Sequence, residues 1–292
     1  MSHDAELILD TKSNLGEGPI WDSSRQLLIW LNVFCNELHL FDPQSGTDRV
    51  ITLDQMPTAV VPRSSGGLIF ALEHGFGQFD LETEKIESWS DPESDIPGNR
   101  FNDGKCDPAG RFWAGTMPYD GSVPTGALYC LDTDRSVTKK VTGIRVSNGI
   151  AWSADSKTMY YVDSMSHGVD AFDYDLDTTH IDNRRRVIEI PHDEGIPDGI
   201  TIDTDGNLWI AQWGGKCVSH YDPNTGRLID KVVLPATNVT ACWFGGPSLE
   251  HLYITTARYA VSEEELAGQP HAGGLFCTKP GAKGLPSIEY AG

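Results

Sequence analysis

The feature that most restricts the fold is a pattern that returns six times along the chain. A turn rich in Asp, Ser, Gly or Pro runs into a short aromatic and β-branched strand in WDSSRQLLIWLNV, PRSSGGLIFALEHG, DPAGRFWAGTM, SADSKTMYYVDS, DTDGNLWIAQWGG and GPSLEHLYITTAR, beginning near residues 21, 62, 107, 153, 203 and 245. The period is about 40 to 50 residues, a length that signals solenoids, propellers or arrays. A second marker, an aromatic beside an Asp at the end of another strand, follows in LHLFDPQSG, GQFDLET, ALYCLDTD, VDAFDYDL and SHYDPNTG, while the last copy offers GGLFCTK. Each unit therefore reads as strand, turn, strand, turn. Short strands at this even spacing predict an all-β fold, a six-bladed β-propeller with four-stranded blades around a central channel. Long amphipathic helices are absent, and SEEELAG at 262–268 predicts a single helical turn.

A circular array has two raw edges where its ends meet, and an N-terminal strand paired into the last blade closes them. AELILDT, residues 5–11, is the expected closing strand, and since no Pro- or Ser-rich linker interrupts the repeat, residues 1–292 read as one domain.

Composition removes several classes of partner. The formal net charge of −20 repels phosphate backbones and anionic membrane surfaces, so Arg184-Arg185-Arg186 reads as a solvated loop or strand edge and nucleic acid is excluded. No apolar run approaches the roughly 20 residues of a membrane span, and MSHDAELILD lacks a basic region followed by an apolar one, so a cytoplasmic protein is expected. The six cysteines, at 35, 106, 130, 217, 242 and 277, show no metal-ligand spacing and read as buried, reduced thiols. No oligomeric state is implied.

In a propeller the innermost strand of each blade lines the channel, and residues at its start point toward the axis. Glu17, in SNLGEGPIW, holds that place in the first unit; Ser147-Asn148-Gly149 and Pro197-Asp198-Gly199 hold it in two later ones, and Arg100-Phe101-Asn102-Asp103-Gly104-Lys105 precedes the third. Taken singly, each is a turn, because Asn-Gly and Asp-Gly favour positive φ. Taken together, Glu17, Asn148 and Asp198 bring two carboxylates and an amide carbonyl to one axis. Hard oxygen donors of net charge −2 suit a divalent cation such as Ca²⁺, Mg²⁺ or Mn²⁺, and without one the two acids would repel and one would protonate.

LGEGPIW, VVPRSSGGLIFAL, RFNDGKCDPAGRFWAGTM, VSNGIAWSADSKTMYYVDS and PDGITIDTDGNLWIAQWGG, spread over most of the chain, resemble the SMP-30/gluconolactonase/regucalcin-like propellers. The resemblance implies one divalent metal in the channel, whose identity among Ca²⁺, Mg²⁺, Mn²⁺, Zn²⁺ and Fe²⁺ it leaves open, and hydrolysis of a small-molecule sugar lactone to the aldonic acid. It makes Glu17, Asn148 and Asp198 the metal ligands, Asp198 also the general base, and Arg100 and Asn102 the residues that hold substrate. Asp120 stands where the family can have a Glu for sugar hydroxyls, and Asn32 where it often has Asp.

Other enzyme signatures, G-x-S-x-G, H-E-x-x-H, the Walker loop and G-x-G-x-x-G, are absent. His74, His167 and His271 are placed to reach a rim, and Trp113, Tyr119, Trp209 and Trp213 are either pocket wall or core. Two alternatives stand beside the lactonase: a propeller hydrolase of organophosphates or non-sugar esters, which needs an apolar pocket, and a non-catalytic metal-binding or scaffold propeller.

Overall fold

Aspartates in the repeated turns close those turns themselves. Asp22 Oδ1 accepts from the backbone N–H groups of Ser24 and Arg25, Asp107 Oδ1 from those of Ala109 and Arg111, and Asp203 Oδ1 from those of Asp205 and Asn207. Such side-chain-to-backbone bonds fix a tight reversal without glycine at every position. The second carboxylate oxygen reaches inward. Asp107 Oδ2 accepts from Trp113 Nε1 at 2.9 Å, and Asp203 Oδ2 from Trp209 Nε1 at 3.0 Å. Trp113 and Trp209 are therefore core residues, not pocket wall, and both are fully buried.

Residues 3–292 are described in a computed structural model; Met1 and Ser2 of the N-terminal stretch read above lie outside the described residues. Six antiparallel sheets stand in a ring. Blade 1 comprises Gly16–Asp22, Leu27–Asn32, Glu37–Asp42 and Thr47–Thr52, and blade 2 Pro57–Pro62, Leu68–Leu72, Phe76–Asp80 and Lys85–Ser90. Blade 3 holds Asn99–Cys106, Phe112–Pro118, Gly126–Leu131 and Val137–Ile144, and blade 4 Ser147–Trp152, Thr158–Asp163, Gly168–Tyr174 and Ile181–Glu189. Blade 5 has Ile196–Ile202, Leu208–Trp213, Cys217–Asp222 and Arg227–Val233. Blade 6 takes Asn238–Gly245, His251–Ala257 and Leu275–Thr278 from the end of the chain and its outer strand, Glu6–Leu9, from the beginning. The N-terminal strand thus closes the ring as its sequence predicts, and His3–Asp4 continues as a parallel fifth strand on blade 5.

Burial follows distance from the axis. Second strands such as Leu68–Leu72 are buried on both faces because neighbouring blades cover both, whereas the outer strand Thr47–Thr52 is mostly exposed. The core is accordingly divided among the interfaces between blades: Trp113 of blade 3 meets Trp152 and Tyr174 of blade 4, and Trp209 of blade 5 meets Phe244 of blade 6. The Arg184–Arg186 run lies on the outer strand of blade 4, where Arg184 and Arg186 pair with Asp170 and Arg185 with Asp173. Glu263–Ala267 forms the short helix, capped by Ser262 and Glu265 in a reciprocal box. Five cysteines are buried free thiols; Cys35 departs from the expectation and is exposed.

Candidate active site

Every inner strand carries one extra residue relative to its neighbour. The register slips between Glu17 and Ile20, Pro57 and Ala59, Phe101 and Gly104, Ser147 and Ile150, Pro197 and Ile200, and Val239 and Ala241. A bulge leaves residues unpaired and re-aims their side chains. Asn102, Asp103, Asn148 and Asp198 sit inside these bulges, and Glu17 starts one.

The dipeptides at these places are thus not turns. Neither Gly149 nor Gly199 has positive φ. What requires glycine is the next blade: a Cβ on Gly149 would lie 2.6 Å from the Asp198 carbonyl oxygen, and one on Gly199 2.6 Å from the Ala241 Cβ. Inner strands approach this closely only where a side chain is missing.

Glu17, Asn148 and Asp198 line one cavity of about 400 Å³ at the end of the channel where the inner strands begin, together with Arg100, Asn102 and Asp120. All six residues given a metal, catalytic or substrate role from the sequence therefore face the same space. Asn148 Nδ2 donates to Ser164 Oγ at 3.0 Å, which turns its carbonyl oxygen away from that partner. Asn148 Oδ1 and Asp198 Oδ1 are both buried and have no hydrogen-bond partner among the described residues. Among the described residues Glu17 Oε2 accepts only from the Gly18 N–H, at 3.1 Å. Buried oxygen acceptors are almost always satisfied, and leaving them so is unfavourable.

Electrostatics carry the same message. Burial raises the Glu17 pKa, and Asp103 adds to it, against the Gly18 N–H and Arg100. Burial also raises Asp198, helped by Glu17 and Asp103 and opposed by Asn148 and the Gly199 N–H. Two acids and an amide oxygen with unspent lone pairs, crowded in a desolvated channel, suit a hard divalent cation. Among the described residues no cluster of three or more His, Cys, Asp or Glu side chains forms a metal site, and the candidate set reaches three donors only with the Asn148 amide.

Arg100 is buried and held: its Nη1 donates to the Phe101 carbonyl and to Asn102 Oδ1, each at 2.8 Å. Asn102 Nδ2 in turn donates to the Ser147 carbonyl of blade 4 at 2.7 Å, leaving one amide N–H for the cavity. Asp120 is exposed on the loop after Phe112–Pro118, and the Ser122 side chain and then the Ser122 N–H, which its carboxylate accepts at 3.0 Å, lower its pKa.

The walls hold residues to which the motifs assigned no role. Phe34, Met117, Met165 and Tyr259 stand beside Tyr119 and Trp213, and Arg145 adds a second cation. Phe34 meets the Tyr259 ring edge-on at 4.9 Å and lies 5.9 Å from the Arg100 guanidinium. Phe34, Met165 and Tyr259 come from connections between second and third strands and Arg145 from a loop leading into an inner strand, where no repeated motif marks them, whereas Met117 ends the DPAGRFWAGTM repeat in the second strand of blade 3. None of His74, His167 and His271 lines the cavity. Asn32 lies outside it as well: its Oδ1 accepts the Leu15 N–H and its Nδ2 donates to Glu37, tying down the segment before Glu17. In blade 4 Asp163 has the same task toward the Arg145 and Val146 N–H groups, so the Asn at 32 is a structural variation.

Residues 15–258 match the model of the SMP-30/gluconolactonase/LRE-like region. The chain belongs to this family. YvrE of Bacillus subtilis, named as a candidate sugar lactone lactonase, is 38% identical over 289 residues, covering 99% of both chains. Regucalcin of Gallus gallus is 39% identical over 293 residues, covering 98% of both. Among solved structures, the calcium-binding protein regucalcin from Agrobacterium tumefaciens superimposes with a TM-score of 0.94 at 29% identity over 99% of each chain.

Proposed function

We propose that this SMP-30/gluconolactonase/LRE-like protein is a lactonase that opens sugar lactones to aldonic acids, with Glu17, Asn148 and Asp198 holding one divalent cation. The observation that carries the reading is the pair of buried, unpartnered oxygens, Asn148 Oδ1 and Asp198 Oδ1, on adjacent inner strands at the floor of a cavity that also presents Arg100. The sugar lactonase designation of YvrE and the calcium binding named for the Agrobacterium relative support it.

The chain's own groups divide the work. Arg100, fixed by Phe101 and Asn102, directs its remaining N–H groups at the lactone oxygens, and Asn102 offers its free amide N–H beside it. Asp198, as carboxylate, accepts the proton of the water that attacks the carbonyl carbon. It returns that proton to the ring oxygen as the ring C–O bond breaks, so one group serves as base and then as acid. A divalent cation bound in this channel supplies positive charge that polarises the carbonyl and acidifies water. It also favours the ionised form of Asp198, which burial alone disfavours. Asp120, carboxylate at the rim, accepts hydrogen bonds from sugar hydroxyls.

The apolar upper wall of Phe34, Met117, Met165, Trp213 and Tyr259 favours a second reading, a hydrolase of lactones or esters with an apolar substituent. One panel decides between them. Glucono-, galactono-, xylono- and arabinono-lactones and an alkyl δ-lactone are followed by acid release at constant pH, with and without chelator, after subtraction of spontaneous opening. The sugar reading requires higher kcat/KM on at least one aldonolactone than on the alkyl lactone; full turnover by thoroughly demetallated protein rejects the cation's role.

A further inference from the structure

The strands that carry the candidate site continue to a second cavity at the opposite end of the channel. Following Glu17 and Asp198 along their strands leads to Ile20 and Ile202, which line a space of about 230 Å³ with Lys105 and Trp243. A constriction of about 20 Å³, bordered by Asp103 and Lys105, lies between the two cavities. The C-terminal tail crosses the lower opening. Ser287 accepts the Trp243 Nε1–H at 3.0 Å, Tyr290 donates its hydroxyl to the Asp132 carbonyl, and Leu285 and Ile288 face the cavity.

Within these apolar walls Lys105 is the one charged side chain. Its Nζ reaches across the axis to the Ile200 carbonyl at 2.7 Å and lies 4.2 Å from the centroid of the Trp243 ring. Among the described residues it forms no ion pair within 4.0 Å. An ammonium has three donors, and one carbonyl and one ring face leave it short of a counter-charge. Charges removed from water are ordinarily paired. Asp103, which borders the same constriction, attracts Lys105 without forming an ion pair within 4.0 Å and does not line the lower cavity, so a counter-charge on that side has to come from outside the chain.

We propose that the lower cavity binds a small monocarboxylate with an apolar body, its carboxylate on Lys105 and its body against Ile20, Ile202 and Trp243. Volume sets the size: a cavity of about 150 Å³ accommodates benzene, so this one accommodates about nine non-hydrogen atoms, the size of benzoate. Sugar acids are disfavoured here because the walls are mainly apolar, with Ser153, Ser156 and Thr201 as their hydroxyl side chains, which separates this ligand class from the product of the upper site.

Benzoate is the probe, with benzyl alcohol and benzylamine as controls of matching shape, measured on the purified protein by calorimetry and ligand-observed NMR. Saturable one-to-one binding of benzoate is expected, with both controls at least tenfold weaker. Lys105→Met should weaken benzoate at least tenfold, and so should Ala154→Trp, which places a large ring at an exposed position on the cavity's mouth. Arg100→Met should leave it unchanged, because Arg100 belongs to the upper cavity. Absence of benzoate binding at millimolar concentration overturns the proposal. So does binding that survives Ala154→Trp but is lost in Arg100→Met, and that comparison stands even where Lys105→Met fails to fold.

Discussion

If Asn148 Oδ1 and Asp198 Oδ1 await a cation, adding one should stabilise the fold by an amount that can be worked out in advance. A ligand bound only to the folded state contributes RT ln(1 + [L]/Kd), about 2.7 kcal/mol when the free cation is a hundredfold above its Kd. Unfolding entropy of about 2.1 cal/mol/K per residue makes one kcal/mol worth roughly 1.6 °C for a chain of this length, so the expected rise in Tm is about 4 °C. The assay is thermal unfolding of chelator-treated protein, titrated separately with Ca²⁺, Mg²⁺, Mn²⁺ and Zn²⁺. Asp198→Asn supplies the internal control. It removes a buried carboxyl that burial, Glu17 and Asp103 all disfavour as an anion, so without cation the variant should be at least as stable as the native protein, yet it should lose most of the cation-dependent rise. A rise of equal size in Asp198→Asn and in Asn148→Ala would refute the ligand assignment, as would no rise with any of the four ions.

Two further outcomes follow from the site and one from the lower cavity. Asp198→Asn keeps much of the shape but cannot take a proton, so kcat should fall by roughly 10² or more at saturating cation, as seen in steady-state kinetics with metal content measured in parallel. Asp120→Ala should cost about 1 to 3 kcal/mol in kcat/KM on a polyhydroxylated lactone, mainly through KM, and little on γ-butyrolactone; equal harm to both through kcat would contradict its assigned role. Burial lowers Lys105 to about 8 from its ordinary value of 10.5, against the pull of Asp103. A lysine that loses its proton more readily when folded carries its penalty in full below the folded pKa and sheds it as pH rises to the unfolded one, so between about pH 8 and 10.5 the native protein should gain up to about 3 kcal/mol relative to Lys105→Met in denaturant unfolding.

The six-bladed ring was legible because its signals are local and repeated. Turn aspartates such as Asp22, Asp107 and Asp203 recur in every second blade, and each needs only its own turn to act. The residues of the floor were legible because Glu17, Asn148 and Asp198 hold equivalent places in three such repeats. Why they face the axis was not legible, since Asn-Gly and Asp-Gly read as turns, and the reason for glycine lies about 50 residues away in the next blade's inner strand. The aromatic wall was hidden for a related reason. Phe34 and Tyr259 touch at 4.9 Å but come from blade 1 and from the segment after Ala257 in blade 6, which only ring closure makes neighbours. Lys105 followed a readable motif, but the groups its ammonium meets, Trp243 and the Ile200 carbonyl, are contributed by two other blades.

The bulges explain how one scaffold supports both a stable ring and a strained centre. A regular inner strand would alternate its side chains between the two faces of the blade, burying Asn148 and Asp198 against apolar neighbours. One extra residue per strand shifts that alternation only locally: after the bulge, Ile20, Ile150 and Ile200 return to the ladder and enter the core. Unfavourable desolvation is thereby confined to one level of the channel, while the packing of Trp, Tyr and Phe between blades continues around it. Gly149→Ala tests this separation, because its Cβ would strike the Asp198 carbonyl oxygen at 2.6 Å, part of rigid backbone rather than a flexible side chain. Overpacking of this kind costs about 1 to 3 kcal/mol. If the bulge sets the floor, the variant should stay folded with a lower Tm but lose the cation-dependent rise; a variant that loses stability and keeps the full rise would show that the glycine serves packing alone.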